Sequence, residues 1–132
     1  MSSEPILIVD DNPANLKLAR VLLASEGYEV RTAIAAEEAV EVLEQFRPRL
    51  ILMDIQLPGM DGLELTRRLK ADPRMRGVVI VALTAYAMKG DQQRVLAAGC
   101  DAYISKPIDT RRLAAQVADL LARPAKAGLP GA

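Results

Sequence analysis

Histidine is missing from this sequence altogether. That absence rules out serine-histidine-aspartate triads, imidazole metal sites and any phosphohistidine carried by the chain itself. Acid-base chemistry here has to use carboxylates, lysine, tyrosine or water. Cysteine occurs once, as Cys100, so an internal disulfide is excluded, and a lone cysteine reads first as a small buried apolar side chain. Net charge is missing too: 17 basic and 17 acidic residues cancel, leaving no basic field for nucleic acid and no polybasic membrane anchor. No apolar run approaches the ~20 residues needed to span a bilayer. The opening Met1-Ser2-Ser3-Glu4-Pro5 lacks the cationic and apolar stretches of a signal peptide. A cytoplasmic protein without membrane insertion is expected.

What is present is a chain of 132 residues, 51% apolar, enough to bury a core without metal or disulfide staples. One domain over residues 1–122 is expected, followed by a disordered tail over 123–132, whose Pro, Gly and Ala offer little to pack. Ile6 to Val9 is a continuous apolar run, as in a strand covered on both faces. Asn12-Pro13 then signals a helix start, Leu16, Ala19 and Leu23 follow at helical spacing, and Gly27 is a natural stop. Tyr28 to Thr32 alternates apolar and polar residues, which predicts a half-exposed edge strand. Ala36 to Phe46 predicts a second helix, with Ala36, Ala39, Val40 and Leu43 inward and Glu37, Glu38, Glu41 and Glu44 in water.

Leu50 to Asp54 is the next buried strand. Leu57 to Gly62 reads as a loop, and a helix from about Gly62 to Lys70 turns Leu65 and Leu69 inward. Asp72-Pro73 breaks that helix, and Val78 to Leu83 is the longest buried-strand run. Met88 to Ala98 is a weakly amphipathic helix expected to bury little of itself, closed by Gly99. Ala102 to Ile104 is a short strand, and Asp109 can cap a last helix with Leu113, Val117, Leu120 and Leu121 inward. The alternation of strand and helix implies an α/β fold with a parallel sheet covered on both faces and right-handed crossovers.

In such sheets ligands bind beyond the carboxyl ends of the strands. There this chain puts its polar exceptions: Asp10 and Asp11 after the first strand, Asp54 ending the third, Thr84 after the fourth and Lys106 after the fifth. Singly each has an ordinary explanation, as turn residue, helix cap or solvated amine. Together they fit phosphoryl chemistry. Three crowded carboxylates call for a cation, and hard oxygen ligands suit Mg²⁺. Lys106 would then neutralise phosphoryl oxygens, Thr84 would donate a hydrogen bond, and Asp54 would be the nucleophile.

Asp10-Asp11, Met53-Asp54, Leu57-Pro58-Gly59-Met60-Asp61-Gly62, Leu83-Thr84-Ala85 and Tyr103-Ile104-Ser105-Lys106-Pro107 resemble the signature of response-regulator receiver domains of two-component signalling. The resemblance spans about Ile6 to Leu121. It implies the flavodoxin-like doubly wound sheet of strand order 2-1-3-4-5. It implies that Asp54 takes a phosphoryl group from a sensor histidine kinase or histidine phosphotransferase. Asp11, Asp54 and the Gln56 carbonyl would bind Mg²⁺ directly, and Asp10 through water. Lys106 would contact the phosphoryl group, with a cis bond to Pro107. Thr84 and Tyr103 would act as the switch pair, a strand aromatic half buried in packing being the equal alternative for Tyr103. Gln56 and Tyr86 would flank the phosphoryl site.

Asp54-Ile55-Gln56-Leu57-Pro58, Ala85 to Asp91 and Gly99 to Tyr103 resemble the DivK-type single-domain receivers of bacterial cell-cycle control. A freestanding, non-enzymatic regulator is therefore expected, a monomer or weak dimer that acts by binding a downstream protein target. A receiver cut from a hybrid kinase would carry the same motifs. A haloacid-dehalogenase-like phosphatase would also put an aspartyl nucleophile at a strand end. It would usually carry a second Asp two residues later, where this chain has Gln56. The polar helix after Met88, the following strand and the last helix are expected to form the partner surface.

Overall fold

Leu50 to Asp54 is buried at every position and lies at the middle of a five-stranded sheet. The computed structural model describes residues 4–57, 62–84 and 89–122. The tail from Arg123, the loop positions Pro58 to Asp61 and Tyr86 lie outside the described residues.

The strands are β1 (Pro5–Val9), β2 (Glu29–Ala33), β3 (Leu50–Asp54), β4 (Val79–Thr84) and β5 (Ala102–Ser105). They pair in parallel in the order β2-β1-β3-β4-β5, the flavodoxin-like order expected above. Central β3 and β4 are wholly buried, which their unbroken apolar runs require. β2 is an edge strand whose alternating residues alternate in exposure, as its pattern predicts.

Because side chains alternate along a strand, the sheet divides the apolar residues into two cores. Leu7, Val9, Ile51, Met53, Ile80 and Ala82 face α2 (Ala36–Leu43), α3 (Gly62–Ala71) and α4 (Lys89–Ala97). Ile6, Ile8, Leu50, Leu52, Val81 and Leu83 face α1 (Pro13–Ser25) and α5 (Leu113–Leu121). Each fully buried Leu or Ile contributes roughly 1.5–3 kcal/mol of transfer free energy, so these rows fix which way every strand faces.

Helix α1 begins where Asn12 caps it. The Asn12 Oδ1 accepts from the N–H groups of Ala14 at 3.0 Å and Asn15 at 3.1 Å, and Pro13 takes the first helical position. It ends at Ser25, and two residues on Gly27, whose φ of 95° is the left-handed conformation glycine adopts freely, turns the chain away.

Helix α2 departs from its sequence pattern twice. It stops at Leu43, where bonds from Glu44 N to Glu41 O and from Gln45 N to Val42 O tighten the last turn. Phe46 leaves the helix and is buried below it, with the Arg31 guanidinium 5.0 Å from its ring. Val40, expected inward, is 43% exposed. The inward row is Ala36, Ala39 and Leu43, and Val40 lies beside it, on a groove of about 220 Å³ shared with Leu65, Leu69 and Met75.

In α4, Val95 and Ala98 just beyond its end are buried, while Gln93, Arg94, Leu96 and Ala97 are exposed. Asp109 caps the turn leading into α5: its Oδ1 accepts from Arg111 N at 2.9 Å and its carbonyl from Arg112 N and Leu113 N. Regular helix begins only at Leu113. No described helix is long and apolar enough to cross a membrane.

Candidate functional site

The carboxyl ends of β1 and β3 are neighbours in the sheet, Val9 standing beside Met53, so the residues that follow them meet. Asp10 continues the β1 ladder through its N–H to the Ala33 carbonyl at 3.0 Å. Its Oδ1 accepts from Asn12 N at 2.9 Å, so the turn that caps α1 also orients this carboxylate. Asp54 does the same one strand over: its Oδ1 accepts from Gln56 N at 2.9 Å. Asp10 and Asp54 are buried and Asp11 is exposed. One ligand oxygen from each of the three lies within 4.8 Å of the others.

Lys106 arrives from β5. Its N–H donates to the Thr84 carbonyl at 2.8 Å, which places its backbone at the end of β4. Its ammonium is 3.1 Å from Asp54 Oδ2 and 3.5 Å from Asp10 Oδ2. The Lys106–Pro107 bond is cis, as the family resemblance implies. Thr84 is buried as the last residue of β4.

Among the described residues the charges do not balance: three carboxylates face one ammonium. Asp10 Oδ2 is buried without a hydrogen-bond partner, and an orphaned buried acceptor is costly. Burial is the main reason the Asp10 carboxyl is held above the ordinary carboxylate range. The hydrogen bond from Asn12 and the Lys106 charge oppose that shift, and neighbouring Asp54 adds to it. A hard divalent cation would supply both the missing charge and the missing partner. The donor set therefore fits Mg²⁺.

The sequence-predicted residues are not all drawn into this cluster by their side chains. Asp10, Asp11, Asp54 and Lys106 are brought together. Gln56 takes part through its backbone, its side chain being exposed. Tyr103 stands beside Ala82 on β5, half-buried against the core that faces α2, α3 and α4.

Gly62 matters more than its reading as a loop marker suggests. It opens α3, and a Cβ there would lie 2.3 Å from the Asp54 carbonyl oxygen and 2.8 Å from Ile55 Cα. Only glycine lets that helix start against the β3 end. The signal was present in the sequence as a glycine directly before the Leu65 and Leu69 stripe.

The response regulator receiver domain model matches residues 6–118. The polar-differentiation response regulator DivK of Brucella anthropi is 49% identical over 107 residues, covering 81% of this chain and 87% of that protein. A CheY-like response regulator receiver domain protein from Methanospirillum hungatei superposes with a TM-score of 0.81 at 38% identity, over 92% of this chain and 95% of that one. The receiver domain of a Pseudomonas aeruginosa sensor histidine kinase was solved with a magnesium ion coordinated in its active site cleft. It superposes with a TM-score of 0.83 at 36% identity, over 92% of this chain and all of that one.

Proposed function

The chain belongs to the response regulator receiver family, and from that premise we propose that it stores a signal as a phosphoryl group on Asp54 and passes it on by changing what it binds. The observation that carries this is the placement of Lys106 Nζ against Asp54 Oδ2, with the buried Oδ2 of Asp10 3.5 Å from the same ammonium and without a hydrogen-bond partner. A nucleophilic carboxylate, a fixed cation and a set of carboxylate oxygens able to hold a divalent ion are what phosphoryl transfer requires.

Asp54 attacks the phosphorus of a partner's phosphohistidine. An O–P bond forms as the N–P bond breaks, and the imidazole nitrogen keeps the electron pair. Asp11, Asp54 and the Gln56 carbonyl would hold Mg²⁺, with Asp10 acting on it through water, and the ion would supply positive charge against the phosphoryl oxygens. Lys106 contacts the same oxygens. Thr84 donates a hydrogen bond to one of them, and Tyr103 turns inward behind it.

The donor is a sensor histidine kinase or histidine phosphotransferase. Beyond self-catalysed transfer and slow loss of the phosphoryl group, no turnover is assigned to the chain. The likeness to DivK over most of that protein's length supports a freestanding cytoplasmic regulator of cell-cycle or developmental type. Helix α4, β5 and α5 offer the surface read by its protein target.

The test is mass measurement after incubation with Mg²⁺ and a small phosphoryl donor. Wild type should gain one phosphoryl group and a folded Asp54→Asn variant none. An unchanged wild-type mass would overturn the reading. Repeated hydrolysis of phosphate esters would favour a phosphatase instead.

A further inference from the structure

Helix α3 touches the candidate site at one end and the start of β5 at the other. Gly62, Thr66 and Lys70 are spaced by four residues, so they lie along one stripe of the helix. Gly62 sits on the Asp54 backbone, as described, and its N–H donates to the Ile55 carbonyl at 3.3 Å. One turn on, buried Thr66 donates from its Oγ1 to the Gly62 carbonyl at 2.8 Å and receives the Cys100 thiol at 3.9 Å.

At the far end Lys70 Nζ donates to Asp101 Oδ2 at 2.8 Å and to the Val78 carbonyl at 3.2 Å. Its stem crosses Gly99, where a Cβ would stand 3.0 Å from Lys70 Cγ. Asp101 in turn brackets Ile80, accepting its N–H at 2.8 Å and donating to its carbonyl at 2.7 Å. The Lys70 and Asp101 side chains are 13% and 7% exposed. Phosphoryl chemistry has no use for an ion pair here, beside the first residues of β4 and away from the carboxylates.

We propose that α3 is the relay through which occupancy of Asp54 reaches the junction of α4 and β5, with Lys70 and Asp101 as positioning residues at its far anchor. The proposal rests on Asp54 being the phosphoryl acceptor. A close-packed interior transmits displacement, and a largely shielded ion pair that also holds two backbone groups ties α3 to β4 and the start of β5. A shift of the Gly62 seat therefore reaches Cys100 through Thr66, and reaches Asp101 and the start of β5 through Lys70.

The experiment compares amide hydrogen exchange of the full chain with and without Mg²⁺ plus beryllofluoride, a stand-in for the phosphoryl group. Wild type should bind beryllofluoride and change its exchange across residues 95–101. Lys70→Met keeps the stem over Gly99 and removes the charge. It should bind beryllofluoride with wild-type affinity while the bound-to-free ratio of exchange rates in that segment moves towards one by about 2- to 30-fold, the size of coupling change produced by mutations between two sites. Lys70→Arg should restore the response, which a purely structural role would not require.

Should Lys70→Met not fold, Asp101→Asn, which keeps an acceptor for Ile80 N–H, reads the same quantity. A full response in either folded variant, or none in a wild type that binds beryllofluoride, overturns the relay. A wild type that binds no beryllofluoride overturns the phosphoacceptor reading itself, and the relay with it.

Discussion

Lys106 Nζ stands 3.1 Å from Asp54 Oδ2, with the lysine side chain 17% exposed and the aspartate 4%. In so buried a pair desolvation offsets most of the Coulomb attraction, yet loss of one partner strands the other. Lys106→Met should therefore destabilise the protein without added metal by about 3 kcal/mol at neutral pH. Adding Asp54→Asn should recover most of that loss. Urea melts of the single and double variants test this, and strictly additive costs would show that the two residues do not act as a pair.

Asp10 makes the opposite prediction. Burial raises its proton affinity, and its Oδ2 has no hydrogen-bond partner and only the Lys106 ammonium 3.5 Å away, which Asp54 shares, so its charge opposes folding when no divalent cation is present. Asp10→Asn should stabilise the metal-free protein by about 1 kcal/mol and shrink the stabilisation that Mg²⁺ confers. Thermal melts with Mg²⁺ and with a chelator would show both, and an unchanged Mg²⁺ response would remove Asp10 from the cation site.

Gly62→Ala tests the seat of α3. The obstructing atoms are backbone, so the helix start must move, at a cost of about 1–3 kcal/mol. Phosphoryl uptake should slow as Asp54 is displaced. A variant with wild-type melting and uptake would mean that the contact yields freely.

Cys100 gives a pH dependence with a definite sign. Burial pushes its thiol from 9.0 to about 11, the Thr66 contact opposing and the Asp101 charge adding to the rise. The folded protein holds this proton more tightly than the unfolded chain. The resulting stability is fully present below pH 9.0 and is lost as the pH rises to about 11. At about 1.4 kcal/mol per unit the loss is about 3 kcal/mol. Cys100→Ala should flatten the fall over that interval; equal slopes in wild type and variant would contradict it.

Much of the fold could be read from sequence because the strands advertise their burial. Leu50 to Met53 and Val79 to Leu83 are continuous apolar runs, and the alternation in β2 marks an edge. The candidate site was legible for the same reason: Asp10, Asp54 and Thr84 end apolar runs at matching strand ends, and Lys106 follows directly on β5. Helix periodicity carries less. It placed Val40 inward because a stripe of apolar residues does not say how wide the sheet beneath it is. It carried α2 through Phe46 because it cannot see a last turn tightening. The Lys70–Asp101 pair was invisible because its partners are 31 residues apart and each alone is an ordinary surface charge. The crowding at Gly62 was hidden because glycine declares freedom in a sequence, and only coordinates reveal that the space beside it is taken.

The sheet also acts as a partition. Met53 and Leu52 are neighbours in the chain but belong to separate apolar compartments, one walled by α2, α3 and α4, the other by α1 and α5. Changes of packing on the two sides should add with little interference when they are well separated. The cluster of Asp10, Asp11, Asp54 and Lys106 is set on the rim where both compartments end. An engineer, or natural drift, can thus rebuild one side for a new partner while the other side, and the rim, keep their form.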